Sequence, residues 1–346
     1  MSKKRQEDVK VSKKKRRKRK KKLRLLLFIE LLLIVILVPV VFGLIQLSKI
    51  KTSTTDLSNV TVNSFNDPNI SNYLNLVVYG VDSRANELDK NTRSDSIIIV
   101  SINKKTKHIK LSSIYRDTYV NIDGHGYTKV NHAYAYGGPA LSISTLNQNL
   151  DLDLQDFVTV NFSALTNVID LLGGIELDIQ KNELDYVNAY TRDVAKINNM
   201  DFEYIKKPGR QTVTGVQATG YCRVRYTKGG DFTRAKRQRT VMEAILKKAK
   251  KANPVTLYKI AGEIMPQIYT SMSTSELIKL GAGLPFYKIE EQAGFPFDNT
   301  PKTINGADVI VAKTLSSNVT KLHEFLFGTK DFQPSETVQS ISSSIG

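Results

Sequence analysis

Residues 74–117 read LNLVVYGVDSRANELDKNTRSDSIIIVSINKKTKHIKLSSIYRD, and this stretch decides the fold. LNLVVYGV (74–81) has the length and β-branched content of a buried strand. SIIIVSIN (96–103) and HIKLSSIY (108–115) flank Lys104-Lys105-Thr106-Lys107, which predicts a β-hairpin closed by a short polar turn. Outward from these strands the pattern turns helical. NHAYAYGGPALSISTLNQNL (131–150) is interrupted by Gly137-Gly138-Pro139, so its helix is expected to begin near Pro139. A short helix over 162–172 is closed by Gly173-Gly174, and IELDIQ (175–180) is another strand. Residues 232–251 form a basic amphipathic helix with Val241, Ala244, Ile245 and Ala249 on one face, ended by Pro254. Two more helices fall within 255–284, and ADVIVA (307–312) is the last strand. The mixture is an α/β domain with helices layered on a sheet. Residues 73–329 are enough for one large domain or two small ones; with no internal repeat or low-complexity break, one domain is the simpler reading.

The flanks say where such a domain works. Residues 25–47, LLLFIELLLIVILVPVVFGLIQL, carry one charge, Glu30. A helix of that length spans roughly 34 Å, enough for a hydrocarbon core of ~30 Å. A cleaved signal peptide would have a shorter core and a small-residue site, which QLSKIKTSTT does not offer, so an uncleaved anchor is expected. Residues 1–24 hold fifteen Lys and Arg against Glu7 and Asp8, a net +13. The positive-inside rule therefore puts the N-terminus in the cytoplasm and the domain outside, a single-pass type II arrangement. Of the formal charge of +17, only +4 remains for the rest of the chain. Beside a membrane span, KKKRRKRKKK is read as attracted to anionic lipid, and a nucleic-acid partner is not expected. Residues 48–72, rich in Ser, Thr, Asn and Asp, read as an extracellular linker, and 330–346 as a disordered tail. The single Cys222 excludes an internal disulfide and reads as a buried, inert thiol.

No P-loop, HExxH, CxxC or GxSxG occurs, and the four His show no ligand spacing. What recurs is Arg with Asp at strand ends. The clusters are Asp82 and Arg84 after the first strand, Arg93 and Asp95 before the second, Arg116 and Asp117 after the third, and YCRVRYTKGGDFTRAKRQR (221–239). Guanidinium groups fork onto phosphate oxygens and stay charged. Carboxylates at adjoining strand ends can hold Mg²⁺, which takes one or two of them plus substrate phosphates. Together these stabilise a phosphoryl leaving group. Each piece has a plainer reading. Arg225 and Asp231 could be a surface ion pair, Lys236 and Arg239 a solvated helix face, Asp117 a turn brace, and Tyr221 and Tyr226 framework. YCRVRY alternates like a strand, with Arg223 and Arg225 on one face.

Taken in order, NLVVYGVDSR, RSDSIIIVSINKKTKHIKLSSIYRDTYVNIDGHGYTKVNHAYAYGG, LLGGIELDI, GRQTVTGVQATGYCRVRY and DFTRAKRQR resemble the LytR–CpsA–Psr family over roughly residues 74–247. The resemblance implies a layered α/β/α domain with a central mixed sheet and an apolar pocket for a polyprenyl chain. It implies a transferase of cell wall biogenesis, acting outside the cell membrane with Mg²⁺ or Mn²⁺. Such enzymes move an anionic glycopolymer (teichoic acid or capsule type) from undecaprenyl pyrophosphate to peptidoglycan. Carried over by position, Asp82 and Asp95 are metal-side carboxylates and, with Arg116, the catalytic set. Arg93, Arg116, Arg223, Arg225, Arg234 and Gln238 are pyrophosphate ligands. Asp231 orients an Arg, and Arg84, Asp117 and Asn131 support. Tyr115 stands where the family commonly has Pro, and Thr219-Gly220 replaces a more apolar pair. Residues 158–172 and 260–284 are apolar enough to line the lipid pocket. Two other readings use the same residues: a hydrolase of polyprenyl-pyrophosphate-linked substrates, and a non-enzymatic membrane-anchored sensor of polyanions.

Overall fold

The computed structural model describes residues 51–52, 57, 60, 63, 68–82, 88–89 and 92–345. The expected cytoplasmic tail and membrane helix, and most of the linker, lie outside the described residues. Among the described residues no helix is long and apolar enough to cross a membrane.

In chain order the strands are β1 (Lys51–Thr52), β2 (Tyr73–Val81), β3 (Ser94–Asn103), β4 (His108–Ile114), β5 (Tyr119–Ile122), β6 (Gly126–Lys129) and β7 (Asp156–Asn161). They continue with β8 (Ile175–Ile179), β9 (Gly209–Val213), β10 (Tyr269–Thr270), β11 (Lys288–Phe295), β12 (Asn299–Ile304) and β13 (Ala307–Ala312). The helices are α1 (Pro68–Ser71), α2 (Asn131–Leu150), α3 (Phe162–Leu171), α4 (Leu184–Asn198) and α5 (Gly215–Arg223). They end with α6 (Gly230–Ala249), α7 (Pro254–Ile264), α8 (Thr274–Gly283), α9 (Leu315–Phe327) and α10 (Glu336–Ile345).

Seven strands form one mixed sheet in the order β1-β10-β7-β2-β3-β4-β11. β2, β3 and β4 are antiparallel neighbours, while β2–β7 and β4–β11 are parallel. The predicted hairpin turns through Lys104–Lys107, where the Asn103 side chain accepts from the N–H groups of Lys105 and Thr106. Side-chain alternation along the central strands makes two cores, one per face. Val77, Tyr79, Ile97 and Ile99 point to α2, α9 and α10; Leu76, Ile98 and Val100 point to Met242 and Leu246 of α6 and Leu280 of α8. Each such fully buried side chain contributes about 1.5–3 kcal/mol of transfer free energy. The expected α/β/α layering is thus present. A third core lies beside the sheet, where β8–β9, α3, α4, α5 and Val241 of α6 bury Ile175, Leu177, Val187 and Tyr221.

Three expectations are corrected. The segment expected to be a disordered tail carries α10, whose Val338, Ile341 and Ile345 are buried in the first core. Helix α2 begins at Asn131 and not near Pro139; its Gly137 and Gly138 leave helical geometry and join two helical pieces across a kink. Gly138 has φ +64°, and a Cβ there would lie 2.5 Å from the Asp89 carbonyl, so glycine is required. Finally, YCRVRY is not a strand. Arg223 is the last residue of α5, and Arg225 sits in the loop before α6. Thr214 and Gln217 form a capping box that starts α5.

Candidate active site

The topology explains the convergence of charge. Because β2, β3 and β4 run antiparallel, the end of β2, the start of β3 and the end of β4 share one edge of the sheet. Asp82, Asp95 and Arg116 are therefore brought together from positions far apart in sequence. Helix α6 adds its first turns from across the sheet edge. Its start is turned by Gly229 and Gly230, with φ +91° and +49°. Asp231 in the first turn is also favoured by the helix N-terminus.

Arg116 is the hub. Its Nη1 donates to Asp95 Oδ1 at 2.6 Å and its Nε to Asp231 Oδ2 at 3.3 Å, with Asp117 Oδ2 3.6 Å away. Lys129 in turn holds Asp117 at 2.9 Å. Arg225 reaches Asp95 at 3.9 Å and Asp231 at 3.7 Å. Arg234, nearly buried, contacts Asp231 at 3.3 Å and donates to the Asp95 carbonyl at 3.5 Å. Arg223 lies 3.6 Å from Asp82 and stacks over Phe162, 5.0 Å from the ring centre. Gln238, one turn beyond Arg234, lines the same cleft as Asp95, Arg116, Asp231 and Arg234. Each guanidinium carries five donors, and most of these ion pairs are longer than a good hydrogen bond. The cluster therefore retains donor capacity for an anion with several oxygens.

The charges tune one another. Burial works against the Arg116 cation, but Asp95 and then Asp231 raise its pKa above the ordinary value. Burial raises the Asp231 carboxyl, yet Arg234, Arg116 and Arg225 together hold it below the usual carboxylate range. Arg234 is pushed down to about 10, chiefly by burial, with Arg116 and Arg225 adding to the effect against Asp231. It stays charged at neutral pH.

The remaining expected site residues divide. Asn131 is buried and its backbone N–H donates to the Arg116 carbonyl at 3.2 Å, so it braces the hub from behind. Arg93 is exposed and makes no ion pair with the described carboxylates. It acts at longer range: burial lowers the His132 pKa, and the Arg93 charge lowers it further. Arg84 lies outside the described residues. Lys236 is exposed as expected, whereas Arg239, expected to be solvated, is buried beside Tyr115. Tyr115 packs edge-on against Phe232, 4.5 Å between ring centres, which joins the end of β4 to α6. The Thr219-Gly220 pair has a packing reason. A Cβ at Gly220 would meet the Thr191 backbone at 2.8 Å, and Thr219 hydrogen-bonds Thr166 at 2.9 Å.

One pair was invisible to sequence reasoning. Arg237 is buried and donates Nε and Nη2 to Glu183 Oε2 at 3.0 and 2.7 Å. It also donates to the Val224 carbonyl at 3.1 Å and the Thr227 hydroxyl at 2.9 Å. The guanidinium thus clamps both ends of the loop that presents Arg225. Cys222 is buried next to this clamp, and burial pushes its thiol up to about 12.

Asp82 and Asp95 stand at adjoining strand ends, next to the paired ends of β2 and β3. Among the described residues no group of three or more His, Cys, Asp and Glu could hold a metal by itself. Asp82 is exposed with only a long contact to Arg223, and Asp95 Oδ2 has only the 3.9 Å contact to Arg225. These oxygens fit Mg²⁺ or Mn²⁺ that takes most of its ligands from substrate and water, and do not fit a closed protein cage. Of the residues expected to line an apolar pocket, Val158 and Leu280 pack on the sheet face with Met242 and Leu246, Leu165, Val168 and Ile169 pack in the third core, and Ile278 stays exposed.

The fold and the site define a class, and comparison with known proteins agrees. The model of the LytR_cpsA_psr family matches residues 40–324, and the chain belongs to that family. It is 33% identical over 204 residues to the polyisoprenyl-teichoic acid–peptidoglycan teichoic acid transferase TagU of Bacillus cereus, covering 58% of this chain and 60% of that protein. It is 30% identical over 241 residues to TagT of Bacillus subtilis strain 168, which carries the same transferase name, covering 63% of this chain and 72% of that protein. The solved structure of TagT bound to LIIa-WTA superposes with a TM-score of 0.61 and 25% identity, over 80% of this chain and all of that one.

Proposed function

We propose that this protein is a phosphotransferase that moves an anionic glycopolymer of teichoic acid or capsule type from undecaprenyl pyrophosphate to a peptidoglycan sugar hydroxyl. The observation that carries the reading is Arg116 locked between Asp95 and Asp231 with Arg223, Arg225 and Arg234 alongside. A pyrophosphate entering this cleft would exchange long carboxylate contacts for bidentate guanidinium–phosphate bonds. The relatives' shared transferase name supports the same chemistry.

The residues divide the work as follows. Arg116, Arg225, Arg234 and Gln238 bind and orient the pyrophosphate, with Arg223 and Arg93 at the rim. The acceptor oxygen forms a bond to the sugar-side phosphorus, and the bond to the polyprenyl phosphate breaks. Charge accumulating on the leaving phosphate is neutralised by the fixed guanidiniums, which need no reorganisation. An aspartate takes the acceptor proton. Asp231, which Arg234, Arg116 and Arg225 hold below the usual carboxylate range, is a poor proton acceptor, and the reading gives the role to Asp82 or Asp95. Those two would also hold Mg²⁺ or Mn²⁺, which supplies further charge neutralisation. In this reading the chain is anchored by 25–47, with its domain on the outer face of the membrane.

The test is product analysis with the full-length protein, a polyprenyl-pyrophosphate-linked polymer and Mg²⁺. Polymer linked to peptidoglycan supports transfer. Free polymer, formed equally with and without peptidoglycan, would replace it with hydrolysis. Arg116→Ala is expected to abolish either product while the domain stays folded; full activity in that variant overturns the assignment.

A further inference from the structure

Tyr226, expected from sequence to be framework, is 72% exposed. It follows Arg225 directly, on the loop that Arg237 clamps through Val224 and Thr227. The clamp turns Arg225 toward Asp95 and Asp231 while the next ring lies open to solvent. Tyr226 has company. Tyr186 of α4, 40% exposed, lies 6.5 Å from it between ring centres. Tyr190, one helical turn further, lies 6.0 Å from the Arg223 guanidinium, whose other neighbour is Phe162. An aromatic strip therefore runs along the rim of the charge cluster, from the Arg225 side to the Arg223 side.

We propose that Tyr226, Tyr186 and Tyr190 form a saccharide-binding strip that seats a sugar ring of the glycan beside the phosphate being transferred. The proposal rests on the transferase reading above and names where that reaction's sugar is held. Three features favour a sugar over the lipid tail. The strip is made of tyrosines at an open surface, whose flat ring faces stack on the C–H face of a pyranose. It lies at the open rim, whereas the aliphatic side chains that suit a polyprenyl chain are gathered on the sheet face around Leu76, Ile98 and Leu280. It adjoins the phosphate-binding guanidiniums, since Tyr226 follows Arg225 in the chain and Tyr190 lies 6.0 Å from the Arg223 guanidinium. Tyr190 packs its inner side against the third core, whereas Tyr226 and Tyr186 pack into none of the buried clusters among the described residues.

The strip can receive a sugar from the donor, next to its pyrophosphate, or from the acceptor glycan. The experiment separates the two. Full-length wild type, Tyr226→Ala, Tyr186→Ala and the ring-preserving Tyr226→Phe are compared by saturation-transfer NMR and by titration. The probes are a tetramer of N-acetylglucosamine, geranyl pyrophosphate, and a polyprenyl pyrophosphate bearing one N-acetylglucosamine. The alanine variants should weaken sugar-bearing probes by about tenfold, the effect of one lost ring contact. Geranyl pyrophosphate should shift less than twofold, and Tyr226→Phe should bind as wild type. Loss confined to the free tetramer assigns the strip to the acceptor, and loss confined to the sugar-bearing lipid assigns it to the donor. Either supports the strip. Unchanged affinity for both sugar probes in both alanine variants overturns it. Because binding is read without turnover, failure of the transferase reading would appear separately, as tight sugar binding with no product.

Discussion

Replacing Arg237 by Met gives the sharpest structural prediction. The guanidinium and Glu183 are almost fully buried, 4% and 6% exposed, and meet at 2.7 Å. Removing the cation leaves a buried carboxylate without its counter-charge and strips the Val224 carbonyl and Thr227 hydroxyl of a donor. Breaking one side of such a pair costs about 3–5 kcal/mol. Against a total stability of about 5–15 kcal/mol for a domain, that is a large fraction. Urea denaturation followed by circular dichroism measures it as a fall in midpoint at constant slope. The double variant Arg237→Met/Glu183→Leu removes both charges, and should recover most of the loss, because apolar replacement of a whole buried pair is often neutral. A cost below about 1 kcal/mol for Arg237→Met, or a double variant as unstable as the sum of its parts, would refute the clamp. In the single variant the loop bearing Arg225 is also freed, so affinity for pyrophosphate should drop although Arg237 never touches it.

Two other perturbations follow from specific side chains. Ile341→Ala opens a cavity where α10 meets the first core and should cost about 2–5 kcal/mol in the same assay; a cost near zero would mean α10 is not part of the domain. Asp231 has a carboxyl pKa held below the ordinary value of about 3.9, so its stabilisation is complete above that value and is lost as pH falls through the lower folded one. Asp231→Asn should therefore be less stable at pH 6 and lose less stability than wild type on acidification below about pH 4, seen in thermal melts across pH. An acid limb identical to wild type would contradict the ion-pair assignment.

The sequence carried the central sheet plainly. The runs at 74–81, 96–103 and 108–115 are β-branched, bounded by turns and long enough to have no helical rival. The charged residues at their ends could be grouped because antiparallel neighbours must share an edge. YCRVRY misled because a short helix ending at Arg223 and an extended loop through Arg225 together imitate alternation. The capping box Thr214-x-x-Gln217 was the signal that would have corrected it. Val338, Ile341 and Ile345 likewise lie at helical spacing, but the serines between them gave the segment the composition of a tail. The Glu183–Arg237 pair had no local signal at all, since 54 residues separate Glu183, at the start of α4, from Arg237 on α6. Tyr226 was misjudged for a related reason: exposure of an aromatic ring depends on which way its loop is turned.

The central claim is that the arginine–aspartate cluster is a pyrophosphate site. Calorimetric titration of the full-length protein with geranyl pyrophosphate, with Mg²⁺ and at two salt concentrations, tests it most directly. The account predicts binding that weakens with salt and falls by at least tenfold, about 1.4 kcal/mol, in Arg116→Ala and in Arg225→Ala. Equal affinity in wild type and both variants would contradict it.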